Sequence, residues 1–158
     1  MTSSSSAPVA QVELLIRCAR GQAFSAFVEP EQLTRFWLSK ASGRLEPGRQ
    51  VRWEFLVPGA AADVTVENIV ENESIRTVWE DGSHVEWTFA EHALGGTVVA
   101  VTQWGFPGGR EEVLAQALDA TSGFTLVLAE LKVLLEQGRG ANIVSDKAAL
   151  IAAQHLKH

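Results

Sequence analysis

The residues able to do chemistry in this chain are few, and their spacing keeps them apart. Histidines occur at His84, His92, His155 and His158. His84 and His92 share a strand parity, but the intervening extended chain would separate them by roughly 26 Å, too far to grip one ion. His84 and Glu86 project from one side of the same segment and offer two ligands. Val85, Trp87 and Phe89 occupy its other side, so the histidine side is the wet one. His155 and His158 fall in the C-terminal tail, and no metal site is expected. Cys18 is the single cysteine, which excludes an internal disulfide framework and a multi-cysteine metal centre. It reads as a small buried hydrophobe rather than a nucleophile. There is no Gly-x-Ser-x-Gly elbow, no His-Glu-x-x-His and no phosphate-cradling glycine loop. Acid–base catalysis needs ionisable groups inside a pocket, and the residue periodicity places Glu54, Glu86, Asp119 and Glu130 outside. The chain has no tyrosine, leaving Arg52, Gln103 and Arg35 as polar groups able to act on a substrate. No catalytic residue and no cofactor are assigned.

Binding chemistry is better represented. The tryptophans are Trp37, Trp53, Trp79, Trp87 and Trp104, and large aromatic side chains serve both to fill cores and to line apolar pockets. Trp53, Phe55, Trp79, Trp87, Phe89 and Trp104 are the candidates contributed by strands. Thr121, Phe124 and Leu128 are the candidates from a helix. Thr121 is the one polar residue near the centre of that helix's apolar face, and Thr77, between Ile75 and Trp79, is its candidate partner across the pocket. Hydroxyls in such positions commonly bond to backbone rather than to ligand.

The elements that must position these residues follow from periodicity. Val9 to Arg17 reads as a first strand. Two short helices follow, one carrying Phe24 and Phe27, the other opened by Pro30 and continuing with Leu33, Phe36 and Trp37. After Pro47-Gly48 the pattern switches to period two at Val51, Trp53, Phe55 and Val57. Further strands are read at Ala62 to Val70, Ile75 to Glu80, Val85 to Phe89 and Thr97 to Trp104, with Asp81-Gly82 and Gly95-Gly96 as turns. Gly109 to Gln137 is one long helix, with apolar positions Leu114, Ala117, Leu118, Thr121, Phe124, Leu128, Leu131 and Leu135. Glu111 and Glu112 suit its positive end, and Gly138 suits a left-handed cap. Gly123 in its middle suggests close approach to a neighbour or a small kink. Leu126 and Val133 lie off the buried arc and form a candidate homodimer contact.

Strands grouped together with helices at the ends specify an α+β helix-grip fold. A curved antiparallel sheet packs on a long C-terminal helix, with two short helices after the first strand. The expected layout is a disordered tail over 1–8, one domain over 9–138 and an extension over 139–158, with a short helix capped by Ser145 or Asp146. A net charge of -6 gives no footprint for nucleic acid. No apolar run reaches the roughly 20 residues needed to cross a membrane, and the N-terminus lacks secretory-signal features, so a cytoplasmic location is the default reading.

These residues carry a resemblance. AFSAFVEPEQLTRFWL, with its Pro-Glu-x-Leu step and the aromatic pair Phe36-Trp37, resembles the opening two-helix segment of the START-like, or SRPBCC, superfamily. Within it, the segment is similar to the family named after the activator of the heat-shock-protein-ninety ATPase. RLEPGRQVRWEF, TVVAVTQWGF and SGFTLVLAELKVLLEQG resemble later segments of that family. NIVSDKAAL resembles an extension found in some bacterial members. The resemblance implies a soluble domain with room for a small molecule between sheet and long helix. With no ionisable pair read as inward, the favoured reading is a small hydrophobic or aromatic molecule held there without catalysis. Two alternatives stay open. One is a cyclase, dehydratase or hydrolase of the same superfamily. The other is a stress-response module that engages a chaperone or regulatory protein.

Overall fold

The computed structural model describes residues 7–156. Most of the expected N-terminal tail and His158 lie outside the described residues, as does the side chain of His155. The chain runs β1 (Ala10–Ile16), α1 (Arg20–Val28), α2 (Pro30–Phe36), β2 (Leu38–Ala41), β3 (Gln50–Phe55), β4 (Ala61–Val70), β5 (Ser74–Trp79), β6 (His84–Glu91), β7 (Thr97–Trp104), α3 (Arg110–Gln137) and α4 (Ile143–Leu156). The strands form one antiparallel sheet in the order β1-β7-β6-β5-β4-β3-β2. Consecutive hairpins account for β2 through β7. Strand β1 closes on β7 instead, so α1 and α2 carry the chain from one sheet edge to the other. That path takes them across the face that α3 also covers, giving the helix-grip arrangement expected from the order of elements.

Alternation decides which residues meet the helices. Trp87, paired with Ile75 and Val101, faces inward, as do Val85 and Phe89 on the same strand. Trp53 on β3 is equally buried. Trp37 ends α2 in a non-helical conformation and swings its ring into this layer. Its ring centroid lies 5.1 Å from that of Trp53, 6.3 Å from Trp87 and 5.8 Å from Phe124 of α3, each pair edge to face. Such geometry sets positive ring edges against negative faces and adds to the apolar burial. This aromatic layer is the centre of the core.

Strand β2 has no signature in the periodicity, because four residues give too little alternation to register. Its pairing with β3, interrupted by an irregularity between Leu38 and Lys40, extends the sheet by one edge strand. The long helix ends as expected. The Gly109 amide donates to Glu112 Oε1 at 3.0 Å, and Gly138 closes the helix with φ 83°. Its buried stripe differs from the expectation. Val113, Ala117, Phe124, Val127, Leu131 and Leu134 are buried, whereas Leu114 and Leu118 are 48% and 63% exposed. Steps alternating between four and three residues keep one seam on the sheet, and Leu114 and Leu118 lie one residue, or about 100°, away from it. Leu126 and Val133, expected outside the buried arc, are half-buried. Glu130, expected on the wet side, is buried. No helix among the described residues is long and apolar enough to cross a membrane.

Candidate ligand-binding cleft

Aromatic side chains fill the centre of the sheet–helix space, and beside them remains a cleft of about 390 Å³. That volume is in the range of small-molecule sites. Three sets of elements build its walls. The sheet end supplies Phe55, Leu56 and Val57 around the β3–β4 turn, together with Trp79 and Phe106. Helix α3 presents Gln116, Ala120, Gly123, Phe124 and Val127. Helix α4 presents Val144, Lys147, Ala148 and Ile151, whose spacing puts them on one helical face. Trp37 forms the inner end, where the cleft meets the aromatic layer.

The α4 wall was not foreseen as part of any site. It is fastened by Glu130, 5% exposed, whose Oε1 accepts the amide of Ala141 at 3.0 Å and that of Ile143 at 3.3 Å. The first amides of a helix lack intrahelical partners and carry partial positive charge, so a buried carboxylate there is paired as burial demands. A Cβ at Gly140 would stand 2.6 Å from Glu130 Oε2, so a larger residue there would displace the carboxylate from this position. Glu130 on α3 therefore takes the capping role expected of Ser145 or Asp146.

The polar groups of the cleft are Asp81, Gln103, Gln116, Asp119 and Lys147. Asp119, expected to point away, lines the cleft because α4 folds over that side of α3. Gln103 alternates inward on β7 and is only 6% exposed. Its Nε2 donates to Ser83 Oγ at 3.0 Å, and Ser83 Oγ donates to Asp81 Oδ1 at 2.6 Å. The Gln116 amide is turned to backbone, donating to Pro107 and Glu112 carbonyls at 2.8 and 3.1 Å.

Of the side chains expected to bind, Phe55, Trp79 and Phe124 line the cleft. Trp53 and Trp87 lie beneath it in the packed layer, and Phe89 and Leu128 are also buried in the core. Thr77 is fully buried with its hydroxyl committed. It donates to the Val85 carbonyl at 2.9 Å and accepts Trp79 Nε1–H at 3.1 Å, which fixes the Trp79 ring. Thr121 donates to the Ala117 carbonyl at 2.7 Å. Trp104 stands on the other face of the sheet. There it stacks on His84 with centroids 5.3 Å apart, and the Arg76 guanidinium lies 5.1 Å from its ring. The last strand carries apolar residues on both sides, so alternation in sequence held no information about its direction. The reading missed Trp37, whose position after Phe36 continues a helical spacing that the chain breaks there. Gly123 leaves open space rather than admitting a neighbour, for apart from the adjoining backbone of its own helix no heavy atom comes within 4 Å of where its Cβ would be.

The remaining chemical candidates are elsewhere. Arg52 pairs with Asp63 at 3.0 Å on the outer face, and Arg35 bonds Gln32 at 3.2 Å on α2. His84 contacts Glu67 at 3.0 Å across the outer face. Among the described residues no three His, Cys, Asp or Glu side chains gather as metal ligands do. The Cys18 thiol is half-buried against the core, and burial pushes its pKa up, away from the nucleophilic thiolate.

A curved antiparallel sheet gripped by a long helix, with a mainly apolar cleft between them, defines a helix-grip protein of the START-like class. The family described as Activator of Hsp90 ATPase homolog 1-like protein matches residues 17–136, well over half of the chain, and the chain belongs to it. Helix α4 lies beyond the matched span. No functionally curated protein matches the chain significantly. Among solved structures, a Staphylococcus saprophyticus protein is 28% identical with a TM-score of 0.73, covering 84% of this chain and 95% of its own. The Aha1 dimer from Colwellia psychrerythraea is 17% identical at TM-score 0.72, covering 84% and 98%. A Mesorhizobium loti protein is 19% identical at 0.70, covering 82% and 97%. The latter two likenesses concern the fold alone.

Proposed function

We propose that this protein binds a small apolar or aromatic molecule in the cleft, without a covalent step. The observation that carries the reading is the set of aromatic walls, Trp37, Phe55, Trp79 and Phe124, around about 390 Å³ of open volume. Removing the ligand's apolar surface from water supplies the driving force, at about 25 cal/mol per Å² before the costs of association. Trp53 and Trp87 act from beneath by holding Trp37 and Phe124 in place. Helix α4 completes the enclosure.

Native and denaturing mass spectra of freshly purified protein test this reading. A mass increment present only under native conditions, and absent from a Gly123→Leu variant, is the expected result. A bare native mass, combined with no shift of the Trp79 indole resonance on titration with indole, would overturn it. The same spectra report assembly. Leu114 and Leu118 are exposed one turn apart on α3, and the Colwellia relative is described as a dimer. We read these leucines as the contact of any dimer, so Leu118→Glu should return a doubled mass to that of the monomer.

A further inference from the structure

Taking the cleft as the ligand site, we infer that its occupant carries a hydrogen-bond donor, a hydroxyl or N–H group, accepted by Gln103 Oε1 in the cleft wall. Asp81 Oδ1 receives two donors from Ser83, the backbone amide at 2.8 Å and the hydroxyl at 2.6 Å. The Ser83 proton is thereby committed to Asp81. Ser83 Oγ can then meet Gln103 only as an acceptor, so the amide nitrogen of Gln103 must face Ser83, as observed at 3.0 Å. This relay removes the ambiguity of an amide's orientation. It leaves the carbonyl oxygen Oε1 as the free end of Gln103.

That oxygen receives no hydrogen bond among the described residues. It is also not sealed in the core as the indole nitrogens of Trp53 and Trp87 are. Gln103 is 6% exposed and is one of the residues that line the cleft, so an occupant of the cleft comes within reach of its side chain. A desolvated acceptor of this kind discriminates, because an occupant lacking a donor leaves it unpaired. The charges along the lining point the same way. Two carboxylates, Asp81 and Asp119, face one ammonium, Lys147. An anionic head group therefore meets a net negative lining, whereas a neutral alcohol, an amine or an N–H heterocycle does not.

The test is a titration of the full chain followed by NMR, with three probes: indole, N-methylindole and naphthoate. Indole should bind about five- to tenfold more tightly than N-methylindole, although the latter is the more apolar. Naphthoate should bind more weakly than both. Gln103→Met keeps the length of the side chain and should bring indole and N-methylindole to equal affinity. Equal binding of the two indoles by the wild-type chain would overturn the role of Gln103 while leaving the cleft reading intact. Preferential binding of naphthoate would overturn it too, assigning polar recognition to Lys147. Failure of all three probes to bind would sink the cleft reading itself, and this inference with it.

Discussion

Glu130, in the middle of α3, holds the amide of Ala141 at 3.0 Å and so joins the long helix to the start of the next one. The contact has consequences beyond capping. Helix α4 forms one wall of the cleft, and its anchor is a buried carboxylate outside the cleft lining. Glu130→Ala strands the amides of Ala141 and Ile143 and should lower the free energy of opening α4 by about 2–3 kcal/mol. Hydrogen exchange checks this directly. Amides of α4 should exchange faster while those of β5 to β7 keep their protection, since a local unit can open without global unfolding. Ligand affinity should fall with the opening. Uniform loss of protection across the sheet would show instead that Glu130 supports the whole fold.

Gly123 sits where a side chain would enter the open volume, with nothing but the adjoining backbone of its own helix within 4 Å of its absent Cβ. A mid-helix glycine costs about 1 kcal/mol relative to alanine, and no close packing compensates for it here. Gly123→Ala should therefore raise the unfolding free energy by about 1 kcal/mol in urea titrations. Gly123→Leu should fold as well, yet obstruct the cleft and abolish binding of indole. If Gly123→Leu retained full affinity, the ligand would have to lie elsewhere.

Much of this architecture was legible from residue pattern, and the failures have identifiable physical origins. The hairpins at Asp81-Gly82 and Gly95-Gly96 and the termini of α3 follow from turn and capping chemistry, which is local. The orientation of α3 was legible only in part. Its leucine-rich surface is broader than the seam it buries, so Leu114 and Leu118 look like core residues on composition alone. Asp119 and Glu130 were placed outside by the same helical reckoning, which has no knowledge of α4. Once α4 folds back, Asp119 borders a cleft and Glu130 becomes an interior cap. Gln103 had a readable signal. It follows the inward positions Val99 and Val101 by two residues, a polar side chain in a buried row. Its orientation depends on Ser83 and Asp81 across a hairpin, and that relation is tertiary.

Glu136 ties α3 to the edge strand β1 and makes stability depend on pH. Its Oε2 accepts Lys132 Nζ at 2.7 Å and the Arg17 amide at 2.8 Å, while Lys132 also donates to the Leu15 carbonyl at 2.7 Å. The Lys132 hydrogen bond, then that from Arg17, lowers the Glu136 pKa below its ordinary 4.5. A folded-state value below the unfolded one gives stability that is complete above the ordinary value, begins to be lost near it, and is gone once pH has fallen through the lowered folded value. Glu136→Gln should cost about 1 kcal/mol at neutral pH, a modest figure because the pair is partly solvated. The difference from wild type should vanish in acid, where the carboxyl is protonated in both states. Urea unfolding at neutral and acidic pH checks it, and a gap independent of pH would assign the effect to packing.

Trp87 and Trp79 make opposite predictions for the same substitution. Trp87 is fully buried and its Nε1–H has no acceptor among the described residues, whereas Trp79 Nε1–H donates to Thr77 at 3.1 Å. An unpaired buried donor costs about 1–3 kcal/mol, comparable with the cavity left when the larger ring is exchanged for phenyl. Trp87→Phe should therefore change stability by no more than about 1 kcal/mol, while Trp87→Ala should cost about 3–5 kcal/mol. Trp79→Phe breaks a satisfied bond and should be the more destabilising of the two phenylalanine variants, despite its more exposed site. Urea midpoints rank them. The reverse order would mean that the Trp87 indole nitrogen is satisfied in solution, by a neighbouring ring face or by water admitted from the cleft. It would also make Trp87 part of the wet end of the site rather than its dry floor.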